Sequence, residues 1–473
     1  MNKLEGVQMT QEKKKHTTSL LESIVILVGM LACLGILIIK YKMIPHIPIL
    51  MVFTVLLFYG KFRGYSWDEI HDGIVEGIKP GIIPIIIFLL IGVLVATWIA
   101  SGTIPTIMYY GFKMVSVKFF IPTIFLLCTV IGITVGSSFT TISTMGIAFL
   151  GIGHILGFST ALTVGAIVSG AFLGNNLSPL SDTTNLASGI AGIDVYDHIK
   201  SMVETALPAA LISLVFYVVV GSSSKSANMA GIQQMADVLM THFDISFWAI
   251  LPVIILFIFA WLKVPAIPSL LISSFSALFI TLFRSKQHYS LKVLCDMLMN
   301  GFVAKTGNRQ MNVLLSRGGM ASMLNSAALI ILALSLGGLL IKYQVVEVLI
   351  TNIQQFVNTP GKLIMMTIVS ATGINFLVGE QYLSVILSGE TFKSAYDKLP
   401  LDRKYLSRTL SAGGSAVNAL VPWGVSGIFI AGALGVNPID YVPFATYSFI
   451  EPIISIVIGF TVVTWRYRKN QAK

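Results

Sequence analysis

The stretch Gly174-Asn-Asn-Leu-Ser-Pro-Leu-Ser-Asp-Thr-Thr-Asn185 lies between two apolar runs, residues 161–173 and 186–193. Its proline removes a backbone donor, and its Ser, Asn and Asp side chains compete for backbone hydrogen bonds, so a helix is expected to break here. The flanking runs are too short for two full spans and a loop. We therefore interpret the stretch as a helix broken within a membrane, which presents free carbonyls and a half-helix N-terminus. The alternative is a surface loop in which Asp182 caps the next helix.

The composition around this stretch is that of a polytopic membrane protein. Of the 473 residues, 55% are hydrophobic and 11% are charged, whereas a soluble domain carries roughly 25% charged residues. A soluble enzyme, a disordered chain and a repeat solenoid are therefore excluded. The three cysteines show no CxxC spacing, which indicates neither a disulfide framework nor a metal site. No clustered basic face suggests nucleic-acid binding, and no known catalytic or nucleotide-binding motif suggests an enzyme.

Apolar segments recur along the whole chain and predict an all-α protein with about 11–14 membrane segments, some broken or paired as hairpins. The first segment is roughly 20 residues, ~30 Å as a helix, and no cleavage site follows it, so it is read as a span and not as a signal peptide. The segments lie at residues 20–39, 44–60, 80–100, 119–136, 138–155, 161–174, 205–221, 246–262, 266–283, 320–341, 363–378, 410–434 and 444–464.

Similar motifs in the two parts of the chain predict two homologous repeats. Gly136 matches Gly379 and Pro179 matches Pro422, both at an offset of 243 residues. Chance similarity among glycine-rich helices is the alternative. Two halves with odd numbers of spans would be inverted relative to each other. The predicted divisions are a cytoplasmic N-terminal tail at 1–19, a first repeat at 20–222, a polar linker loop at 223–245, a second repeat at 246–465 and a basic cytoplasmic tail at 466–473.

The basic residues at the two termini predict that both lie in the cytoplasm of a multi-pass protein of the cell membrane. Lys13, Lys14 and Lys15 stand at one end, and Arg466 and Arg468 at the other. Both termini on one side require an even number of spans, which agrees with two odd halves. Six basic residues at 284–317 fall on the nominal outside and run against this topology.

Three further polar islands interrupt apolar segments. Seven of the nine residues at 136–144 are small or hydroxyl-bearing, and they suit either close helix packing or a hairpin that lines a cavity. Their counterpart, residues 375–382, contains Glu380, a candidate proton carrier; the alternative is an ion pair with a basic residue of 393–408. The counterpart of the first break, residues 413–423, has no acid and is expected to shape the site. An ionisable group at mid-bilayer is by default a functional-site hypothesis.

The oxygen-rich islands suit a hard cation such as Na⁺, by analogy with other hard ions. In the hypothesis, Asp182 binds Na⁺ when ionised and releases it on protonation, and Glu380 is a second titrating group. Na⁺ and H⁺ are then transported ions, and no cofactor is expected. The candidate ion-binding or substrate-binding residues are Asn175, Asn176, Ser178, Ser181, Asp182, Thr183, Thr184, Ser137, Thr140, Thr141, Glu380, Gln381 and Asn418.

At these residues the chain resembles the NhaC-type sodium/proton antiporter family. The likeness rests on Leu177-Ser-Pro-Leu-Ser-Asp-Thr-Thr-Asn-Leu186 together with Gly379-Glu-Gln-Tyr382, and extends from about Gly64 to the C-terminus. The resemblance implies a secondary transporter that exchanges cytoplasmic Na⁺ for external H⁺ and is built from inverted repeats with hairpins and broken helices. The chain departs from the family pattern at Asn175-Asn176, where many members carry an Asp-Lys pair.

Two other function classes stay open. Some members of the family resemble malate/lactate exchangers, so small carboxylates are possible partners beside the lipid bilayer, and a homodimer is compatible with the sequence. An organic-anion exchanger favours a cation deep in the membrane; apart from Arg408 the sequence has no Lys or Arg well inside a span, which argues against this class. A non-transporting membrane scaffold is the second class; it would have no reason to keep Asp182 and Glu380 at depth.

Overall fold

The computed structural model describes residues 18–114, 117–221, 229–286, 289–354 and 357–471. Within these ranges the regular elements are all helices and no β-strand occurs, which confirms the all-α prediction. The predicted tail at 1–19 lies outside the described residues except for its last two. These are Thr18 and Ser19, and the Ser19 hydroxyl accepts a hydrogen bond from the Glu22 amide at the start of the first helix.

The first half begins with an apolar helix and continues through long helices, short helices and one break. The eleven helices described in this half are α1 Leu20–Leu34, α2 His46–Phe62, α3 Trp67–Ile78, α4 Ile82–Ala100, α5 Thr103–Met114, α6 Phe120–Val135, α7 Ser138–Thr141, α8 Ile147–Ile155, α9 Thr160–Asn176, α10 Asp182–Ala191 and α11 Val195–Gly221.

The second half follows a helix that the sequence did not predict. The predicted linker at 223–245 contains α12, Met229–His242, so its description as a polar loop is wrong. The remaining helices are α13 Phe247–Trp261, α14 Ala266–Arg284, α15 Leu291–Asn300, α16 Arg309–Leu315, α17 Met320–Lys342, α18 Val345–Gln354, α19 Pro360–Val378, α20 Gln381–Lys398, α21 Arg403–Leu410, α22 Val425–Leu434, α23 Pro438–Tyr441, α24 Thr446–Ile458 and α25 Thr464–Gln471.

The helices are of unequal length, and only some of them are long enough to cross a membrane. Within the described residues, eight helices are long and apolar enough to cross a membrane, or up to ten if each sharply bent pair is one span. Helices α2, α6 and α10, of 10–17 residues, are too short to count, and α22 counts only as part of a bent pair with the segment Arg403–Leu420. The sequence predicted about 11–14 membrane segments, so the described residues contain fewer full-length spans than expected.

The second half repeats the helix boundaries of the first at an offset of 243 residues. Helix α20 covers the positions that correspond to the start of α7 and the end of α8, and α22 covers those of α10. Helices α21 and α23 begin 243 residues after the first residues of α9 and α11. The boundary glycines repeat as well: Gly136 and Gly379 have φ of 70° and 76°, and Gly192 and Gly435 have φ of 71° and 69°. Chance similarity does not account for this agreement; the inverted orientation of the halves stays a prediction.

Each half contributes elements that pack against the other half. Helix α10 lies against α20, and α22 lies against α7 and the π-helical turn Ile142–Gly146. Phe139 of α7 and Phe429 of α22 are in ring contact, with centroids 4.7 Å apart. The two breaks and the two hairpin tips therefore come to lie at the interface between the halves, as binding sites of repeat-built transporters do.

Candidate functional site

The first break lies between α9 and α10. Helix α9 ends at Asn176, and five non-helical residues, Leu177–Ser181, separate it from Asp182, the first residue of α10. The Ser181 hydroxyl accepts a hydrogen bond from the Thr184 amide, 3.3 Å away. The predicted break is thus present in the structure, and the alternative in which Asp182 caps the next helix is wrong because Ser181 fills that position.

Asn175 organises the buried side chains at this break. Its Nδ2 donates to the Thr183 hydroxyl at 3.0 Å, and its Oδ1 accepts from the Ser181 hydroxyl at 3.1 Å. Its backbone carbonyl accepts from the Thr184 hydroxyl at 3.2 Å. The Ser178 hydroxyl instead donates to the Ile133 carbonyl of α6 at 2.6 Å, which fixes the broken segment against its neighbour. All five side chains are buried.

One serine of the second half joins this cluster. The Ser415 hydroxyl donates to Oδ1 of Asn176 at 2.9 Å and lies 3.3 Å from the Thr183 hydroxyl. Nδ2 of Asn176 donates to the Tyr447 hydroxyl at 3.2 Å. The cluster of Asn175, Asn176, Ser181, Thr183 and Ser415, called the break cluster below, therefore spans both halves.

The second break repeats the arrangement of the first. Asn418, 243 residues after Asn175, donates to Oδ1 of Asn375 at 2.8 Å and accepts from the Ser426 amide at 3.1 Å. Ser426 stands 243 residues after Thr183, so each break uses an Asn bonded to the same position of the following half-helix. Val425 occupies the position that Asp182 has in the first half. The second break therefore holds no acid, in agreement with its expected role in shaping the site.

Asp182 differs from its neighbours because its side chain is exposed. The sequence led us to expect a carboxylate within apolar surroundings. Its position as the first residue of α10 turns it away from α9, whereas Ser181, Thr183 and Thr184 are buried. Its carboxylate has no hydrogen bond or ion pair with the residues described. The hydroxyl of Tyr382 interacts electrostatically with both Asp182 and Glu380, and α10 packs against α20, the helix that Glu380 caps.

Glu380 is fully buried at the start of α20. Its Oε2 accepts from the Leu383 amide at 2.8 Å, which makes it the N-cap of the helix. Its Oε1 has no partner in the described part of the chain. The predicted alternative, an ion pair with a basic residue of 393–408, is absent from the residues described. Capping is a role that the sequence analysis did not foresee, although the repeat offers it: Ser137, at the equivalent position, caps α7.

The hydroxyl residues of 136–144 bond within their own segment. The Thr140 hydroxyl donates to the Ser137 hydroxyl at 3.1 Å, and the Thr141 hydroxyl donates to the Ser137 carbonyl at 2.9 Å. A Cβ on Gly136 would lie 2.9 Å from the Ser181 amide nitrogen, so this segment touches the first break through its glycine. Gln381 is buried beside Glu380, and its Oε1 has no partner in the described ranges.

A second polar cluster includes residues that the sequence analysis did not select. Arg408 is fully buried and donates from Nη1 to Oε2 of Glu204 at 2.9 Å. Glu451 is fully buried on α24. His198 is buried, and its Nδ1 lies 2.5 Å from the Ser407 hydroxyl. Glu451 lies inside a predicted apolar span, so the rule that selected Glu380 identifies it as well.

The side-chain oxygen atoms at the first break are of the kind that binds an alkali cation and not a transition metal. Hydroxyl, amide and carboxylate oxygens are the ligands of hard cations. Among the described residues, no group of three or more His, Cys, Asp or Glu side chains could hold a metal ion. The chemistry that the arrangement supports is reversible binding of a small cation by one accessible carboxylate and neutral oxygens.

Comparison with known proteins places the chain in a family. The model of the Na⁺/H⁺ antiporter family matches residues 170–463, which include both breaks and both carboxylates. The chain belongs to this family. The match therefore confirms the resemblance found in the sequence, and it identifies the protein as related to transporters and not to enzymes.

Relatives with different names are similar to the chain at comparable identity. The Na⁺/H⁺ antiporter NhaC of Alkalihalophilus pseudofirmus is 36% identical over 89% of this chain and 90% of its own length. The malate-2H⁺/Na⁺-lactate antiporter of Bacillus subtilis is 33% identical over 97% and 98%. The arginine/ornithine antiporter ArcD of Halobacterium salinarum is 35% identical over 92% and 90%. Antiport is the activity common to the three names.

Proposed function

We propose that the protein is a secondary active transporter that exchanges Na⁺ for H⁺ across the cell membrane. The observation that carries the proposal is the exposed carboxylate of Asp182 beside the buried oxygens of the break cluster. Asp182 stands between Ser181 and Thr183 in the chain, so the exposed carboxylate and two of the buried hydroxyl oxygens belong to the same turn at the start of α10. The family membership and the relative named NhaC support the same activity.

One carboxylate that two cations occupy in turn is enough for exchange. The N-terminus of α10 favours a negative charge at Asp182, and this keeps the carboxylate available to a cation. Na⁺ bound there excludes a proton from the same oxygens, and a proton removes the charge that holds Na⁺. The site changes sides of the membrane only when one of the two ions occupies it, because an unpaired charge is costly in an apolar interior.

Glu380 and the two repeats complete the proposal. Glu380 is a second titrating group at the N-terminus of α20, the helix that packs against α10. The repeats at 20–222 and 246–465 are inverted, and both termini lie in the cytoplasm. Attachment of a membrane-impermeant maleimide to cysteines placed at Ser19 and at Lys469 tests the topology. Labelling of either position from outside intact cells would contradict it.

Transport of a small carboxylate is the second candidate function. The malate-2H⁺/Na⁺-lactate antiporter is among the relatives, and Arg408 is a buried cation whose Nε and Nη2 have no partner among the described residues. Paired guanidinium donors match the geometry of a carboxylate. Since Arg408 is already bonded to Glu204, an added carboxylate would have to share or replace that partner.

Proteoliposomes with a trapped pH indicator separate the two functions. A Na⁺ gradient alone should move protons in the wild-type protein, and Asp182→Asn should abolish that movement. Asp68→Asn is the matched control, because Asp68 is an exposed acid in the first turn of another helix, α3. Proton movement that requires malate, lactate or arginine in addition to Na⁺ would reject simple exchange in favour of solute transport.

A further inference from the structure

A buried carboxyl group on α24 has half of its hydrogen-bonding capacity unused. Oε1 of Glu451 accepts from the Thr205 hydroxyl at 2.6 Å and from the Ser455 hydroxyl at 3.1 Å. Oε2 has no partner among the described residues, and the side chain is fully buried. An ionised carboxylate in this position requires a compensating charge, whereas a protonated one needs only an acceptor for its proton.

A buried arginine on α21 can supply the compensating positive charge. Arg408 of α21 lies within electrostatic range of Glu451 and is itself fully buried. It uses Nη1 for Glu204 at 2.9 Å and for the Ser201 carbonyl at 3.3 Å. Its Nε and Nη2, the pair that forms two parallel bonds to a carboxylate, have no partner in the part of the chain that is described. Arg408 therefore has donors to spare for Glu451 while it remains bonded to Glu204.

Glu451 is connected to the break cluster on one side. Tyr447 lies one helical turn before Glu451, within its electrostatic range, and its hydroxyl accepts from Nδ2 of Asn176. The other end of the Asn176 amide accepts from Ser415, which lies beside Thr183. Glu451 is thus connected with the side chains that surround the proposed cation site through Tyr447 and the three hydrogen bonds from Tyr447 to Thr183.

Glu451 is connected to the protein surface on the other side. Glu204 is 35% exposed and pairs with Arg466 at 2.9 Å as well as with Arg408. An open cavity of about 300 Å³ begins there; it is lined by Ile193, Asp197, Lys200, Ser201, Glu204, Asp402 and Lys404. Glu204 lines this cavity and accepts a hydrogen bond from Arg408, so a proton that enters the cavity arrives one hydrogen bond away from Arg408.

The titratable groups around Glu451 come from few elements. Helix α11 contributes His198, Glu204 and Tyr217, α21 contributes Arg408, and α24 itself contributes Tyr447. Helix α9 and the segment Ser411–Leu420, which also pack against α24, contain no titratable side chain. Helix α19 contains only Lys362, in its first turn. Arg408 is therefore the cation that responds to a change of charge on Glu451.

We propose that Glu451 is an additional proton-binding carboxyl group of the transport cycle, loaded from the cavity beside Glu204 and compensated by Arg408 when it is empty. The protonated carboxyl gives its proton to water in that cavity, and the carboxylate left behind takes hydrogen bonds from Nε and Nη2 of Arg408. Protonation from the cavity reverses the step. This inference rests on the proposed Na⁺/H⁺ exchange, and it assigns one transported proton to a residue outside the break cluster.

The number of protons moved per Na⁺ tests the inference. In proteoliposomes clamped with valinomycin and K⁺, the potential at which net flux vanishes gives this ratio for known Na⁺ and pH gradients. Glu451→Gln should lower the ratio by about one and should retain exchange of ²²Na⁺ for Na⁺, which needs no proton. Glu451→Asp should keep the wild-type ratio. The matched control is Glu390→Gln, because Glu390 is an exposed acid on α20.

Three results would overturn the inference. An unchanged ratio in Glu451→Gln means that the residue carries no transported proton. If both Glu451→Gln and Glu451→Asp lose ²²Na⁺ exchange as well as proton movement, the role of Glu451 is structural. The proposed function is tested separately, with the wild-type protein. If the wild-type protein shows no Na⁺-driven proton movement, both proposals are rejected.

Discussion

The Ser415 hydroxyl donates a hydrogen bond to Oδ1 of Asn176 over 2.9 Å, although 239 residues separate the two in the chain. Both side chains are fully buried. Asn176 ends the first half of one broken span and Ser415 lies just before the break of the other. The bond therefore holds the two halves together at the proposed cation site. Any movement of one half against the other has to break or exchange it.

Replacement of Ser415 should separate the two breaks. Ser415→Ala leaves Oδ1 of Asn176 buried without its donor, and such a loss costs about 1–3 kcal/mol. We expect a lower thermal unfolding temperature in detergent and slower Na⁺-driven proton movement. Ser276→Ala is the control, because the Ser276 hydroxyl only bonds within its own helix, to the Ser273 carbonyl. Equal unfolding temperatures for the two variants would contradict the prediction.

Replacement of the hairpin glycine Gly379 should destabilise the protein. Gly379 has φ of 76°, and an added Cβ would lie 3.2 Å from Cα of Gly424. A non-glycine residue in this conformation costs about 1–3 kcal/mol. Gly373→Ala, in the same helix, is the control, because its Cβ would meet nothing within 4 Å. Thermal unfolding should give a lower midpoint for Gly379→Ala and an unchanged or higher one for Gly373→Ala.

The equivalent asparagines of the two breaks should differ in function. Asn175 lies beside Asp182, whereas Asn418 faces a break whose corresponding residue is Val425. Asn175→Ala should raise the KM for Na⁺ about tenfold, which corresponds to about 1.4 kcal/mol of lost binding. Asn418→Ala removes bonds to Asn375 and to the Ser426 amide, and should lower the unfolding temperature with less change in KM. The same shift of KM in both variants would refute an asymmetric site.

Competition at Asp182 should be visible as a pH effect on Na⁺ affinity. If one carboxylate takes both ions, the KM for Na⁺ rises as the pH falls, by about tenfold per pH unit once the carboxyl is mostly protonated. The maximal rate at saturating Na⁺ should change much less. Initial rates in proteoliposomes between pH 6 and about 9 give both quantities. A KM that is independent of pH while the maximal rate falls would remove Asp182 from the shared role.

Much of the fold could be predicted from local features of the sequence. Low charge and long apolar runs require a membrane protein because too few ionised groups are available for a water-facing surface. Pro179 and its polar neighbours predict the break between α9 and α10, because a missing donor and competing side chains act within a few residues. The 243-residue offset of Gly136 and Gly379 predicts the repeated boundaries, since both glycines adopt positive φ.

The tertiary structure decided which of these residues meet. Asn176 reaches Ser415, and Arg408 reaches Glu204, only because packing brings together helices that lie more than 200 residues apart in the chain. It also decided that Asp182 faces outward while Thr183 faces inward, because the rotation of α10 against α9 and α20 is set by contacts along its whole length. A sequence reports residue types and their spacing along one helix, whereas the direction of a side chain depends on neighbours from distant segments.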